Sequence, residues 1–375
     1  MFGKKSMIVF LCCLGIQHCL FSLDVGDSLS VQKLTAYGSC IHAYPPSANA
    51  EKAEQELIYF LDANSSNRIN DYFRMISEFQ DNFQDFPRGV TFAVILLNGT
   101  ADMLPPDLEF PVYLDPEKKI WQNYVKGEII MPFAAVIANG KLQWKGSPTE
   151  VPTVIQRLQN GTFSRTSQDR ISMANRDLQR AVQAGLPDVI MSAADRILAI
   201  QPGELTAVQA KLFVYNNSGK QKEALDFLSK QIVLCTEMTQ LKFFALNAAV
   251  AADDKEAWQK ILWASCNDLN TKYRSAARVF CFAVNNAPFG WLPYPGIMQL
   301  TEKILQKMPP NLSAAFQASV WEHAARAAYL GADVVQAEKY QKKACELRKN
   351  TRYEKSASDL LQYYQSILES TRKKL

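Results

Sequence analysis

The sequence predicts an α/β domain, a mixed central sheet flanked by helices, followed by an all-α region of stacked helical hairpins. Three observations predict it. The stretch Ile129-Ile130-Met131-Pro132-Phe133-Ala134-Ala135-Val136-Ile137-Ala138-Asn139-Gly140-Lys141-Leu142-Gln143-Trp144-Lys145-Gly146 has a proline opening an apolar strand, a two-residue turn and a returning strand. Asn-Gly between apolar runs is a strong hairpin signal because both central residues tolerate positive φ, and proline is accepted at a strand's first residue. Upstream, short apolar runs alternate with an amphipathic helical pattern. Beyond residue 170, periodic apolar segments are broken by short turns and one irregular insert.

Met1 to Ser22 carries Lys4 and Lys5, then an apolar run from Met7 to about Leu20, then a small residue. This is the pattern of a secretory signal peptide, too short and wrongly flanked for a membrane span. Lipid attachment at Cys19 is the alternative, which Gln17-His18 disfavour. The chain is therefore expected in the periplasm or outside the cell, with no membrane span once the leader is removed. About 350 remaining residues suggest two domains, and 48% apolar residues suffice for packed cores. The net charge of +4 includes Lys4 and Lys5. What remains is near neutral, with no basic stripe for nucleic acid.

Glu56-Leu57-Ile58-Tyr59-Phe60-Leu61 reads as a buried strand. After Asp62-Ala63-Asn64-Ser65-Ser66-Asn67-Arg68, apolar residues at Ile69, Tyr72, Phe73, Ile76, Phe79 and Phe83 follow one helix face. Thr91 to Leu97 is the next strand, Pro111-Val112-Tyr113-Leu114 a short edge segment, and Pro116 to about Val125 a helix. The hairpin follows, then a helix from Thr149 to Leu158 stopped by Asn160-Gly161.

This order of elements, with Met131-Pro132 before the hairpin, resembles the thioredoxin-like family in its envelope-located branch, over roughly residues 25 to 160. The resemblance implies a cis Met131–Pro132 bond, which for X–Pro costs only about 0.5–1 kcal/mol, and beside it a groove holding an extended peptide. It also implies Cys-x-x-Cys at the start of the first helix, where unpaired N–H groups and the dipole stabilise a thiolate. The matching positions here are Asn64, Ser65, Ser66 and Asn67, and no cysteine lies between Cys40 and Cys235. An amide forms no mixed disulfide; Ser66 or Asn67 is left to cap the helix. Ser65 or Ser66 as a hydrolytic nucleophile would need a base, and no histidine is near in sequence. No catalytic, metal or cofactor site is expected.

Five cysteines follow the leader: Cys40, Cys235, Cys266, Cys281 and Cys345, none in a Cys-x-x-Cys pair. The odd number leaves at least one without a partner inside the chain. The four beyond Cys40 lie on apolar or helical stretches, where inert buried thiols are common. Tyr37-Gly38-Ser39-Cys40-Ile41-His42 offers a thiol beside a histidine, and supplies the rival expectation of a thiol-disulfide oxidoreductase built on Cys40; the alternative is a plain polar segment. Asn64, Asn98, Asn160, Asn216 and Asn311 each open an Asn-x-Ser/Thr sequon.

The reading divides the chain into a leader (1–22), an α/β domain (23–160), a polar linker (161–170) and an α-helical repeat domain (171–375). In the last, Gly185, Gly219 and Asp253 fall 34 residues apart, the period of tetratricopeptide-like helix pairs. Gly219 to Leu225 and Asp254 to Trp258 resemble that repeat's turn and second-helix start. The insert Ala287 to Gly296 interleaves Phe289, Trp291 and Tyr294 with prolines, a composition suited to a partner contact or to pinning the loop on its own helices. The function expected is a non-catalytic protein- or peptide-binding module.

Overall fold

The computed structural model describes residues 39–42, 55–65, 69–83, 90–105, 108, 110–115, 117, 120, 132–236, 238–288, 290–310, 312–351 and 353–372. The leader, Ser66, Asn67, Met131, Phe289 and Asn311 lie outside them, as does nearly all of the helix expected over 116–125. The chain divides into two compact units, Met1–Val214 and Tyr215–Leu375.

The first unit contains a six-stranded mixed sheet in the order β1-β4-β3-β2-β5-β6. Its strands are β1 (Ser39–His42), β2 (Gln55–Asp62), β3 (Val90–Leu97), β4 (Val112–Leu114), β5 (Phe133–Ala138) and β6 (Lys141–Gly146). β2, β3 and β4 run parallel; β5 is antiparallel to β2, β6 to β5 and β1 to β4. Helix α1 (Ile69–Phe83) connects β2 to β3, and α2 (Val151–Gln159) follows β6.

β2 is central and buried on both faces, which is why it reads as an unbroken apolar run. Leu57, Tyr59 and Leu61 join Val94, Leu96, Phe73, Ile76, Val151 and Ile155 in one cluster, so α1 and α2 cover that face. Ile58 and Phe60 alternate to the other face with Ile95, Phe133, Ile137, Leu142 and Ile120. Burial raises the Tyr59 hydroxyl well above its ordinary pKa. At the hairpin, Asn139 (φ 53°) and Gly140 (φ 68°) both take the left-handed conformation their sequence anticipates.

Two expectations need correction. Pro111 to Leu114 does not supply an edge: β1 pairs outside β4, with Cys40 opposite Tyr113. A four-residue polar strand carries no period of its own, and its pairing with β4 is non-local. The stretch 161–170 is a turn followed by helix, because α3 (Arg165–Ala184) starts at Arg165 with Ser164 accepting from the Ser167 amide. The Arg157 guanidinium of α2 donates to Gln201 at 3.0 Å and stacks over Phe163.

From α3 onward the described chain is helical: α4 (Pro187–Ile200), α5 (Leu205–Asn217), α6 (Gln221–Leu234), α7 (Thr239–Ala251), α8 (Lys255–Ser265), α9 (Tyr273–Asn286), α10 (Gly296–Gln306), α11 (Ala314–Leu330), α12 (Val334–Arg348) and α13 (Glu354–Arg372). Four of the turns share a left-handed residue. Gly185, Gly219, Asp253 and Ala332 all have positive φ. The next amide bonds back five residues after three of them: Lys220 to Tyr215, Asp254 to Ala249 and Asp333 to Ala328, each 2.9 Å. Those bonds satisfy carbonyls that a helix end leaves orphaned. Asp254 and Asp333 then cap the following helix, accepting from Ala257 at 2.9 Å and Gln336 at 3.0 Å. In the second unit, Trp258, Phe280, Tyr364 and many alanines form a continuous core. No helix among the described residues is long and apolar enough to cross a membrane.

Candidate functional site

The candidate site lies at the end of the sheet where β2 and β3 finish and β5 begins. β2 ends at Asp62, and the chain turns at once into a 3-10 segment, Ala63–Ser65, with Asn64 exposed. One Asp62 oxygen accepts from the Asn64 amide at 2.9 Å and from the Asn98 side-chain amide at 2.9 Å. Asn98 sits just past β3 with φ 52°, a left-handed position that asparagine tolerates better than most residues. Gly99 follows, where a Cβ would meet Leu96 Cδ2 at 2.5 Å and Ala63 at 3.4 Å. The turn before α1 is thus held against the end of β3 by a carboxylate and a close backbone approach.

Pro132 joins the same end from the other side. Phe60 and Phe133 are register partners on β2 and β5, and their rings stack at 4.4 Å with planes 6° apart. Pro132, half-buried, immediately precedes Phe133. Continuing the antiparallel register by one step sets it level with Leu61, one residue before the Asp62 turn. The structure therefore brings Asn64 and Pro132 to one end of the sheet; Ser65 lies in the 3-10 turn beside them.

The Cys40 expectation falls elsewhere. Cys40 is exposed on β1, three strands from β2, about 14 Å away at the usual strand spacing. His42 shares that strand across a bulge. None of the five cysteines is in a disulfide. Burial pushes the Cys266 thiol up to about 12 and raises Cys281 further, against weaker lowering by nearby cations. Burial likewise raises Cys235 and Cys345. Among the described residues no three His, Cys, Asp or Glu side chains gather as a metal site.

The aromatic insert belongs to the second unit. Trp291 is half-buried, packs edge-on against Trp258 at 6.1 Å, and its carbonyl accepts from Gln259 at 2.9 Å. The Gly290 carbonyl accepts from Lys255 at 2.7 Å. Trp291 therefore pins the loop onto α8, whereas Tyr294 is 54% exposed.

Asp62 and Asn98 are the site residues that sequence reasoning passed over. Their signal was positional: each ends or follows a strand, and parallel neighbouring strands set such residues side by side. The comparisons with protein-family models and with curated proteins matched nothing. The class rests on fold and site: an α/β domain on a mixed sheet, followed by a helical region of hairpin-like turns.

Proposed function

We propose that the chain is an exported, redox-inactive thioredoxin-like protein whose α/β domain binds an extended peptide or protein segment, joined to a tetratricopeptide-like helical region that also serves binding. The observation that carries this reading is the meeting of Asn64 and Pro132 at one end of the sheet. A thiol-disulfide site of that family would have its dithiol and its proline there; this chain keeps the proline and has amides and hydroxyls for the thiols. Nothing at Asn64 to Asn67 can become a thiolate, so covalent exchange gives way to hydrogen bonding. Backbone groups flanking Pro132, at the open start of β5, would pair with a bound strand, as in β-strand addition.

Partner capture from an envelope extract with the mature protein, beside a Met131→Trp variant that fills the groove, tests the reading. Loss of the captured partner in the variant, with unchanged thermal unfolding, supports it. Capture indifferent to Met131 and Pro132 overturns the groove.

A further inference from the structure

Among the described residues of the second unit, the strongly exposed large apolar side chains are Val233, Leu234, Tyr294, Leu330, Val335 and Tyr363. Four of these six gather at the turn joining α11 to α12. Leu330 ends α11 and Val335 is the second residue of α12, with 43% and 65% of their surface exposed. The Tyr294 ring lies so close over Gly331 that a Cβ there would collide with it. Tyr363 of α13 shares a hydroxyl–hydroxyl bond of 2.8 Å with Tyr329, and their rings meet edge-on at 5.8 Å. Scattered exposed apolar residues mean little, but a gathered patch marks an interaction surface.

Val335 also begins an exposed face of α12. Lys339, Lys342, Glu346 and Lys349 follow at helical spacing, with Lys343 alongside, all exposed. Lys342 pairs with Glu338 at 2.8 Å and Lys343 with Glu346 at 2.7 Å. Arg348 points elsewhere, into Glu322. Four lysines against two glutamates leave this face with two net positive charges; just beyond it exposed Lys355 is offset by exposed Glu354. Lysines near a helix C-terminus are ordinary. A lysine face that starts at a gathered, exposed apolar patch is not accounted for that way.

We infer that the α11–α12 turn and the outer face of α12 dock an extended acidic peptide segment, an aliphatic or proline anchor seated on Tyr294, Tyr363 and Val335 and carboxylates running along the lysines. The inference rests on the binding role proposed above and names the chemistry of one partner. Charge complementarity selects the acidic segment. Tyrosine rings offer flat apolar area with a hydroxyl at the edge, suited to proline or aliphatic side chains. From Val335 to Lys349 the face is about 21 Å long at the helical rise, the length of about six extended residues.

The test uses the full mature protein and a fluorescein-labelled heptapeptide, leucine and two prolines followed by four glutamates, read by anisotropy. The wild type binds it, more weakly as salt rises, and does not bind the counterpart with lysines for glutamates. Lys339→Glu with Lys349→Glu weakens binding by about tenfold or more, and Val335→Asp weakens it as well, with unfolding temperatures unchanged. Pro132→Ala leaves it unaffected, which separates this surface from the groove. A peptide that does not bind, or binds equally to these variants, overturns the proposal. Lysine-dependent binding to phosphatidylglycerol vesicles without binding to the peptide overturns it in favour of a lipid surface. Binding lost only in Pro132→Ala returns the peptide to the groove and removes this surface alone.

Discussion

Asp62 at the end of β2 accepts a hydrogen bond from the side chain of Asn98, just past the end of β3, at 2.9 Å. With its second bond from the Asn64 amide at 2.9 Å, it joins two strand ends and the turn before α1. Asp62→Ala removes both bonds in a solvent-reached position, costing about 0.5–1.5 kcal/mol. Urea unfolding measures that loss. Hydrogen exchange should show the Asn64 amide losing protection more than the amides of β2.

Glu322 and Arg348 form a part-buried ion pair in the second unit: two parallel bonds of 3.0 Å, with the arginine side chain 10% exposed and the Tyr353 ring 4.8 Å from its guanidinium. Removing one partner leaves the other charge poorly solvated. Arg348→Met is expected to lose about 2–4 kcal/mol, and Arg348→Met with Glu322→Gln less than the sum of the two single changes. A double-mutant cycle by chemical denaturation reads both.

Glu204 gives a pH dependence with a definite sign. Burial raises its carboxyl pKa, outweighing bonds that include one from the Ala207 amide at 2.7 Å. The folded state then holds the proton more tightly than the unfolded chain, and the protein loses stability as pH rises from the ordinary carboxyl range through the raised value. Glu204→Gln keeps an oxygen for the Ala207 amide and carries no charge. Its urea midpoint should exceed the wild type's at neutral pH, and the difference should close on acidification.

Ala332 holds a left-handed φ of 65° where Gly185 and Gly219 supply the residue suited to it. Ala332→Gly should stabilise the protein by about 0.5–1 kcal/mol, since the strain relieved exceeds the added chain entropy. Gly219→Ala should cost a similar amount. Thermal unfolding of the two variants checks the pair.

The hairpin, the paired-strand core and the spacing of the turns were legible because each has a local cause. Asn139 and Gly140 tolerate positive φ; Leu57 to Leu61 form an apolar run only a doubly covered strand needs; Gly185, Gly219 and Asp253 are residues that accept a left-handed turn. β1 was not legible, because Ser39 to His42 are held by pairing with β4 rather than by any pattern of their own. The start of α3 was hidden for a different reason: its first turn is polar, and only the Ser164 cap announces it. The site was half legible. Pro132 and Asn64 stood out as types, whereas the Asp62–Asn98 bond depends on parallel strand register, which spacing does not encode. Trp291 had the composition of a partner anchor, and contact with Trp258 holds it to its own helices.

The thiols differ sharply in reach. Cys40 is exposed while Cys266 is buried with its pKa pushed up to about 12. Native alkylation should label exposed Cys40 first, and Cys266, buried and with its thiolate disfavoured, far more slowly. Mass spectrometry of timed quenches orders the five.

The most direct measurement is insulin reduction by the wild type beside a variant carrying Asn64→Cys and Asn67→Cys. The wild type is expected to be inactive and the variant to gain reductase activity, with a dithiol that titrates reversibly. Turnover by the wild type, or a folded variant whose new cysteines never exchange with a disulfide, would contradict it.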